Sequence, residues 1–192
     1  VTDITEKKET EAALRESEER YRIAIEQSND GVKILQDEKY LFVNRKLVEM
    51  FRYDSADEII GRPIGTLVDP DDRNRVFDIN RRRARGEPVP SRYEVRHLRK
   101  DGTSFDAELS VAPISYKGRP ALLVYVRDIT ERKCIEQALR ESEAKYRNIF
   151  ENSMEGIYQV APEGRFITAN PAAGRILGYK SPEELIKGIT DI

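Results

Sequence analysis

Two short runs of mixed polarity, Val32-Lys33-Ile34-Leu35 and Tyr40-Leu41-Phe42-Val43, flank a polar turn at Asp37-Glu38 and predict a β-hairpin. Asn44 then reads as a helix N-cap, followed by Leu47, Met50 and Phe51 at core-facing spacing. Ser55-Ala56-Asp57-Glu58-Ile59 reads as a short helix capped by its serine. Asp69-Pro70-Asp71-Asp72 is a stronger helix start: a capping aspartate, a first-position proline, and acids facing the positive end of the dipole. That helix is expected to run to about Arg85 and stop at Gly86. Three strands follow. Arg92 to Leu98 and Thr103 to Pro113 are joined by Lys100-Asp101-Gly102, and Tyr116-Lys117-Gly118-Arg119 turns into Pro120 to Arg127. Two strands, several short helices and three strands predict an α+β fold with one antiparallel sheet and helices on one face.

The pattern then starts over. Asp3-Ile4-Thr5-Glu6, Ala13-Leu14-Arg15-Glu16-Ser17-Glu18 and Tyr21-Arg22 return as Asp128-Ile129-Thr130-Glu131, Ala138-Leu139-Arg140-Glu141-Ser142-Glu143 and Tyr146-Arg147, about 125 residues later. That period is the size of a domain plus its connector, far longer than a solenoid repeat. A second hairpin is expected at Ile157 to Val160 and Arg165 to Thr168, with Asn170-Pro171 opening a helix that carries Ala173, Ile176 and Leu177. Ser181-Pro182-Glu183-Glu184-Leu185 repeats the short serine-capped helix.

Composition narrows the function classes. Of 192 residues 39% are hydrophobic and 35% charged, yet the net charge is only −2. That balance argues against a dedicated nucleic-acid or membrane-surface binder, and no apolar run approaches the length of a membrane span. Cys134 is the single cysteine, so an internal disulfide is excluded and a reducing cytoplasm is the expected compartment. The chain opens on Val1 rather than Met, which reads as a piece of a longer protein.

Taken in order, the Asn-capped helix, Asp69-Pro70-Asp71-Asp72, Tyr93-Glu94-Val95-Arg96 leading to Arg99-Lys100-Asp101-Gly102, and the closing Val126-Arg127-Asp128-Ile129-Thr130 resemble a tandem PAS-domain protein. The resemblance covers nearly the whole chain. It implies a five-stranded sheet in the order 2-1-5-4-3, used in sensing, dimerisation and signal relay. The expected organisation is the end of an upstream PAS domain at 1–5, a connector helix at 6–20, and a complete PAS domain at 21–128. A second connector helix at 129–148 and the truncated front of a further PAS domain at 149–192 complete it. With its later strands missing, the last segment is expected to form at most a hairpin leaning on something else.

Asp128 and Glu131, like Asp3 and Glu6, have the spacing of a reciprocal capping box. An aspartate that caps the outgoing helix ties the last strand to it, and the Asp-Ile-Thr segment resembles the signal-transfer motif of PAS domains. Asp3, Thr5, Glu6, Asp128, Ile129, Thr130 and Glu131 are therefore the signal-transfer candidates; simple capping of a linker is compatible with the same residues. Beyond them Ile135, Leu139, Ser142, Tyr146 and Ile149 form a short heptad seam, matched by Leu14 and Tyr21 in the first copy. The seam predicts a parallel homodimer through the connector helices, with packing onto the chain's own sheet as the alternative.

The pocket implied by the resemblance lies between the inner sheet face and the helices. Alternation and helix phase nominate Val32, Ile34, Leu41, Val43, Leu47, Phe51, Val76, Ile79, Val95, Leu109, Val111, Leu122 and Val124 as its lining, a set that serves equally as plain core. Haem is argued against because the long helix has no histidine; the sole one, His97, sits near a strand end and is expected to be partly exposed. Covalent flavin is argued against because Cys134 lies in the connector. A small metabolite, or no ligand, remains. Arg81-Arg82-Arg83 reads as a solvated helix end complementing the dipole.

Catalytic chemistry has no support: no phosphate loop, metal-ligand spacing or nucleophile-histidine-acid arrangement is present in the sequence. Two functions stay open, a ligand-sensing module that relays a signal through capped connector helices and a ligand-free dimerisation and relay module. By resemblance, an effector such as a histidine kinase or a diguanylate cyclase would lie elsewhere in a longer chain.

Overall fold

The computed structural model describes Glu16, Glu19, Arg20 and residues 22–188. The chain divides into two compact units that meet at Glu131 and Arg132. The signal-transfer candidates Asp3, Thr5 and Glu6, the seam residues Leu14 and Tyr21, and the expected upstream domain end at 1–5 lie outside the described residues.

In the first unit β1 (Gly31–Gln36) and β2 (Lys39–Val43) form the expected hairpin, with Asp37 and Glu38 both at positive φ in the turn. Helix α1 (Arg45–Met50) follows, then 3-10 turns at Ala56–Glu58 and Ile64–Leu67, and α2 (Pro70–Ala84). Strands β3 (Arg92–Leu98), β4 (Ser104–Tyr116) and β5 (Arg119–Asp128) complete an antiparallel sheet in the order β2-β1-β5-β4-β3. The α+β class and the strand order expected from the resemblance are both present.

Asn44 shows why the front of the unit folds as it does. Its amide oxygen accepts from Leu47 N at 3.0 Å as an N-cap and from Val32 N at 2.8 Å, while its amide nitrogen donates to Ile25 O and Asp30 O. One fully buried side chain thus joins the segment before β1, β1 itself and α1. Gly31 is required beside it: a Cβ there would lie 3.2 Å from the Leu47 Cβ and 3.3 Å from its Cα. Asp69 caps α2 through Asp71 N, and its other oxygen accepts from Ser104 Oγ at 2.5 Å. Asp72 accepts from Arg96 N at 2.7 Å, so two acids of one helix start grip the neighbouring strands. Ser55 makes no capping bond, contrary to expectation; Glu58 meets the Asp54 N–H instead.

The core lies between one sheet face and the helices. It holds Val43, Leu47, Phe51, Ile59, Leu67, Val76, Val95, Phe105, Leu109, Val111 and Val124.

Helix α3 (Thr130–Asn152) begins on the last two residues of the first unit, and in the second unit it leads to β6 (Tyr158–Val160), β7 (Phe166–Ala169), α4 (Pro171–Ile176) and α5 (Pro182–Gly188). Asn170 repeats the Asn44 arrangement: its oxygen accepts from Ile157 N and Ala173 N, and its nitrogen donates to Glu155 O. The hairpin does not rely on a foreign support alone. Phe166, Ala169, Ala173 and Leu185 form a small core of their own with Val160, Tyr179 and Ile186 around it.

Candidate functional site

A cavity of about 20 Å³ lies inside the first unit, between the sheet and α2. That is room for about one water molecule. Of the thirteen nominated residues, Val76, Leu109, Val111 and Val124 line it. Val43, Leu47, Phe51 and Val95 are solid core, and Ile79 is buried without reaching the cavity. Leu122 instead lines a larger outer cleft of about 460 Å³.

Three nominations are corrected. Lys33 pairs with Val124, and Val32 with Tyr125, so alternation turns Val32 and Ile34 to the opposite sheet face. Leu41 is 36% exposed because it is the extra residue of a β-bulge. Between Ile34 and Leu35 the partner jumps from Phe42 to Tyr40, so Tyr40 and Val43 face inward across a three-residue step.

Alternation missed apolar Leu35, Ile64 and Val68, and it missed the polar part of the lining. Lys33 is 3% exposed, and its ammonium sits 5.4 Å from the centroid of the Tyr40 ring. Burial pulls its pKa down to about 7. No carboxylate lines the cavity among the described residues. His97 is fully buried rather than partly exposed, and its Nδ1 lies 2.6 Å from Leu67 O. A carbonyl only accepts, so Nδ1 carries the proton and Nε2 presents a lone pair. Nε2 has no hydrogen-bond partner. Burial, and then the charge of Lys33, hold His97 well below its usual range and keep it neutral. Tyr40 donates to Ile64 O at 2.7 Å, and burial pushes its phenol up. Asn80 and Tyr93 complete the polar lining. The signal for His97 was visible, since it shares parity with Val95; the signal for Lys33 was not, because an unpaired lysine inside a core runs against the usual distribution.

His97 also begins a run of contacts that leaves the cavity. Its ring meets Phe51 at 5.0 Å edge-on and Phe105 at 5.7 Å. The Arg99 guanidinium lies 4.1 Å over the Phe105 ring, donates to Met50 O at 3.1 Å, and reaches Asp128 Oδ2 at 3.2 Å. Asp128 Oδ1 accepts from Thr130 N at 2.8 Å, at the first turn of α3. The expected reciprocal box is replaced by this two-residue bond, and Glu131 is exposed. Ile129 is buried and donates its N–H to Asp106 O.

On α3, Ile135, Leu139, Tyr146 and Ile149 are all exposed, and none of the helix's residues is buried. Cys134 is exposed as well. Arg82 and Arg83 bond Glu87, Pro88 O and Pro90 O around the end of α2. Among the described residues no group of three or more His, Cys, Asp or Glu is placed to hold a metal, and no helix is long and apolar enough to cross a membrane.

Comparison with known proteins agrees with this geometry. The profile of the PAS domain family matches residues 29–131, and a second PAS domain profile matches residues 144–192. Sporulation kinase E of Bacillus subtilis is 29% identical over 191 residues, 99% of this chain and 25% of that protein. Sporulation kinase A of the same organism is 28% identical over 145 residues, 73% of this chain and 23% of that protein. The chain thus spans about a quarter of the length of these curated relatives. The PAS domain of an HTR-like protein from Haloarcula marismortui superimposes with a TM-score of 0.51 at 25% identity, over 64% of this chain and 99% of that one.

Proposed function

Because the chain belongs to the PAS-domain family, we propose that residues 21–128 are a sensory module that takes a small ligand at the Lys33–His97 cavity and relays the change to α3. The observation that carries this reading is the continuous contact from a cavity wall to the outgoing helix, His97 to Phe51 and Phe105, Arg99 and Asp128. A ligand that moves the His97 ring shifts the two phenylalanines, and Arg99 passes that shift to the carboxylate that caps α3. Coupling of this kind needs an element with two arrangements, and the Arg99–Asp128 ion pair, on partly exposed side chains, is the one that can open.

In this reading 1–5 closes an upstream PAS domain, 6–20 and 129–148 are connectors, and 149–192 begins a further PAS domain. The exposed stripe Ile135, Leu139, Tyr146 and Ile149 takes a second copy of the chain as a parallel helical pair, because its heptad spacing suits an identical partner. The relatives named as sporulation kinases point to a histidine kinase effector in the whole protein.

The test is hydrogen exchange on the chain with and without ligands drawn from a metabolite panel. A binder is expected to change protection at Thr130 to Ile135 as well as in the cavity, and Arg99→Met is expected to abolish the distant change alone. A binder that leaves α3 untouched would end the relay reading. A ligand-free relay module is favoured by one observation, the nearly filled cavity of about 20 Å³.

A further inference from the structure

We propose that the signal taken up at this cavity is the proton, read through one buried water that accepts from the Lys33 ammonium and donates to His97 Nε2. The inference rests on the sensing reading above and names what that site takes.

The volume sets the occupant. About 20 Å³ admits one water molecule and no ligand of several heavy atoms. Lys33 and His97 both line that space, so a single molecule in it meets both. An ammonium only donates, and the neutral imidazole, with its Nδ1 on Leu67 O, offers a lone pair at Nε2. The two would suit each other directly, yet Nε2 has no partner within hydrogen-bond reach. A water carries the bond across the gap, accepting from one group and donating to the other. It also relieves two costs at once, a buried charge with no carboxylate in the cavity wall among the described residues and a buried acceptor with no donor. Asn80 does not answer Lys33 in its place, because its Oδ1 already accepts from Arg83 Nη1 at 3.2 Å.

Loss of the Lys33 proton changes the bridge rather than the packing. While Lys33 is charged, its bond to the water is charge-assisted and leaves the water a hydrogen for Nε2. A neutral amine donates or accepts, so the water turns either way and the ring loses its fixed partner. Burial puts this change at about pH 7. The groups facing Lys33 are Tyr40 from β2, Tyr93 and His97 from β3, and uncharged Asn80 from α2; Arg83 stands behind Asn80 and Tyr93, and β4, β5 and the segment before α2 present apolar side chains. His97 stays neutral on both sides of the change, and burial pushes the Tyr40 phenol up. Leu35, Ile64 and Asn80 line both the cavity and the outer cleft, which gives the proton a way to solvent. A ring held by the water keeps Phe51 and Phe105 in place, and Arg99 with them on Asp128.

The test is an NMR titration of the chain from pH 6 to pH 8. His97 is the sole histidine, so nitrogen-15 labelling of histidine reports its ring alone. The Nε2 resonance is expected to move with a midpoint of about 7 while the ring stays singly protonated. A cross-peak between the ring and a long-lived water is expected at pH 6. Protection of the Thr130 N–H, bonded to Asp128 Oδ1, is expected to fall about fivefold over the titration, the gap between a charged and a neutral hydrogen bond. Global stability rises over the same range, so a merely structural lysine would move Thr130 the other way. Lys33→Met should lose both the ring step and the Thr130 change, and Arg99→Met should lose the second alone. Five results overturn the proton assignment: no ring step, a step that survives in Lys33→Met, a doubly protonated ring, no water cross-peak, or Thr130 protection that rises with global stability. It fails alone if a member of the metabolite panel still changes protection at Thr130 to Ile135; if none does, the sensing reading fails with it.

Discussion

Asn44 and Asn170 occupy the same place in two copies of one local design, yet they are supported differently. Each caps a helix and donates back to the segment before its hairpin; Asn44 accepts from Val32 in the first strand, and Asn170 from Ile157 just before it. Even the neighbouring glycines agree: a Cβ on Gly31 would crowd Leu47, and one on Gly156 would come within 3.1 Å of the Ala173 Cα. Around Asn44 three later strands and a long helix close a core. Around Asn170 the described residues offer two strands and two short helices, with Tyr158, Ile167, Ile176 and Leu177 left exposed. A local design therefore specifies conformation at both sites, while burial of a full sheet face sets how much stability rests on it.

The sharpest way to break that comparison is to remove both asparagines in turn. Asn44→Ala leaves the Val32 and Leu47 N–H groups and the Asp30 carbonyl without that partner, while Ile25 O keeps its bond from Ser28 N, and is expected to cost about 3 kcal/mol. Asn170→Ala releases one buried N–H, that of Ala173, and two half-buried groups, with only a small core around them, and should cost about 2 kcal/mol. Urea unfolding of the first unit and regional hydrogen exchange across residues 155–188 read the two separately. Equal losses would show that the second copy is as fully supported as the first.

A second contrast concerns charge inside the fold. Among the described residues the buried cation belongs to the first unit. The folded pKa of Lys33, about 7, lies below its ordinary 10.5. Below pH 7 the lysine is charged in both states and its burial penalty is felt in full. Above 7 the folded protein sheds the proton first, the unfolded chain binds more protons, and stability rises with pH toward 10.5. Lys33→Met should flatten this rise and stabilise the first unit at pH 6 by about 2 kcal/mol, measured as the shift in urea midpoint. Protection of residues 155–188 should not follow Lys33 at any pH; if it does, the units are not independent.

These contrasts also mark what a reader of the sequence could see. Capping residues, turn residues and strand order were legible because each depends on a few neighbours: Asn44, Asp69 and Gly102 do what their chemistry dictates in isolation. The lining of the cavity was not. A single bulged residue at Leu41 turns Tyr40 inward, and no local signal marks it. Lys33 lies on the inner face with its partner Val124, and Val32 on the other face with its partner Tyr125. Val76, Leu109, Val111 and Val124 of the apolar lining were therefore readable, Leu35, Ile64 and Val68 were not, and of the polar lining only His97 gave a signal, through its parity with Val95. Depth and parity came from pairing with β5, some ninety residues away.

The link from β5 to α3 can be tested at lower cost to the fold. Arg99→Met keeps the stem over Phe105 but removes the bonds to Met50 O and Asp128. It is expected to destabilise the first unit by about 1 kcal/mol. Exchange at the first turn of α3 should rise with it. The Asp128–Thr130 bond is retained in this variant, so unchanged exchange would mean that capping, and not the arginine, holds the turn.

The smallest expected effect separates two serines that look alike in sequence. Ser55 and Ser181 both precede a short acidic helix, and in both copies a glutamate reaches back to the backbone, Glu58 to Asp54 N and Glu184 to Lys180 N. Only Ser181 caps, its hydroxyl accepting from Glu184 N at 3.3 Å; Ser55 makes no such bond, and the segment after it is a 3-10 turn. Ser181→Ala should thus cost about 0.5 kcal/mol, seen as faster exchange in α5, whereas Ser55→Ala should leave the first unit unchanged. Pro182 explains the difference. It fixes the first helical residue of α5, with no N–H to satisfy, and leaves Ser181 poised to cap. Ala56 imposes no such constraint after Ser55. Replacing it in Ala56→Pro should draw Ser55 into a capping role, and a cost on Ser55→Ala that appears only in that background would locate the contrast in the proline alone.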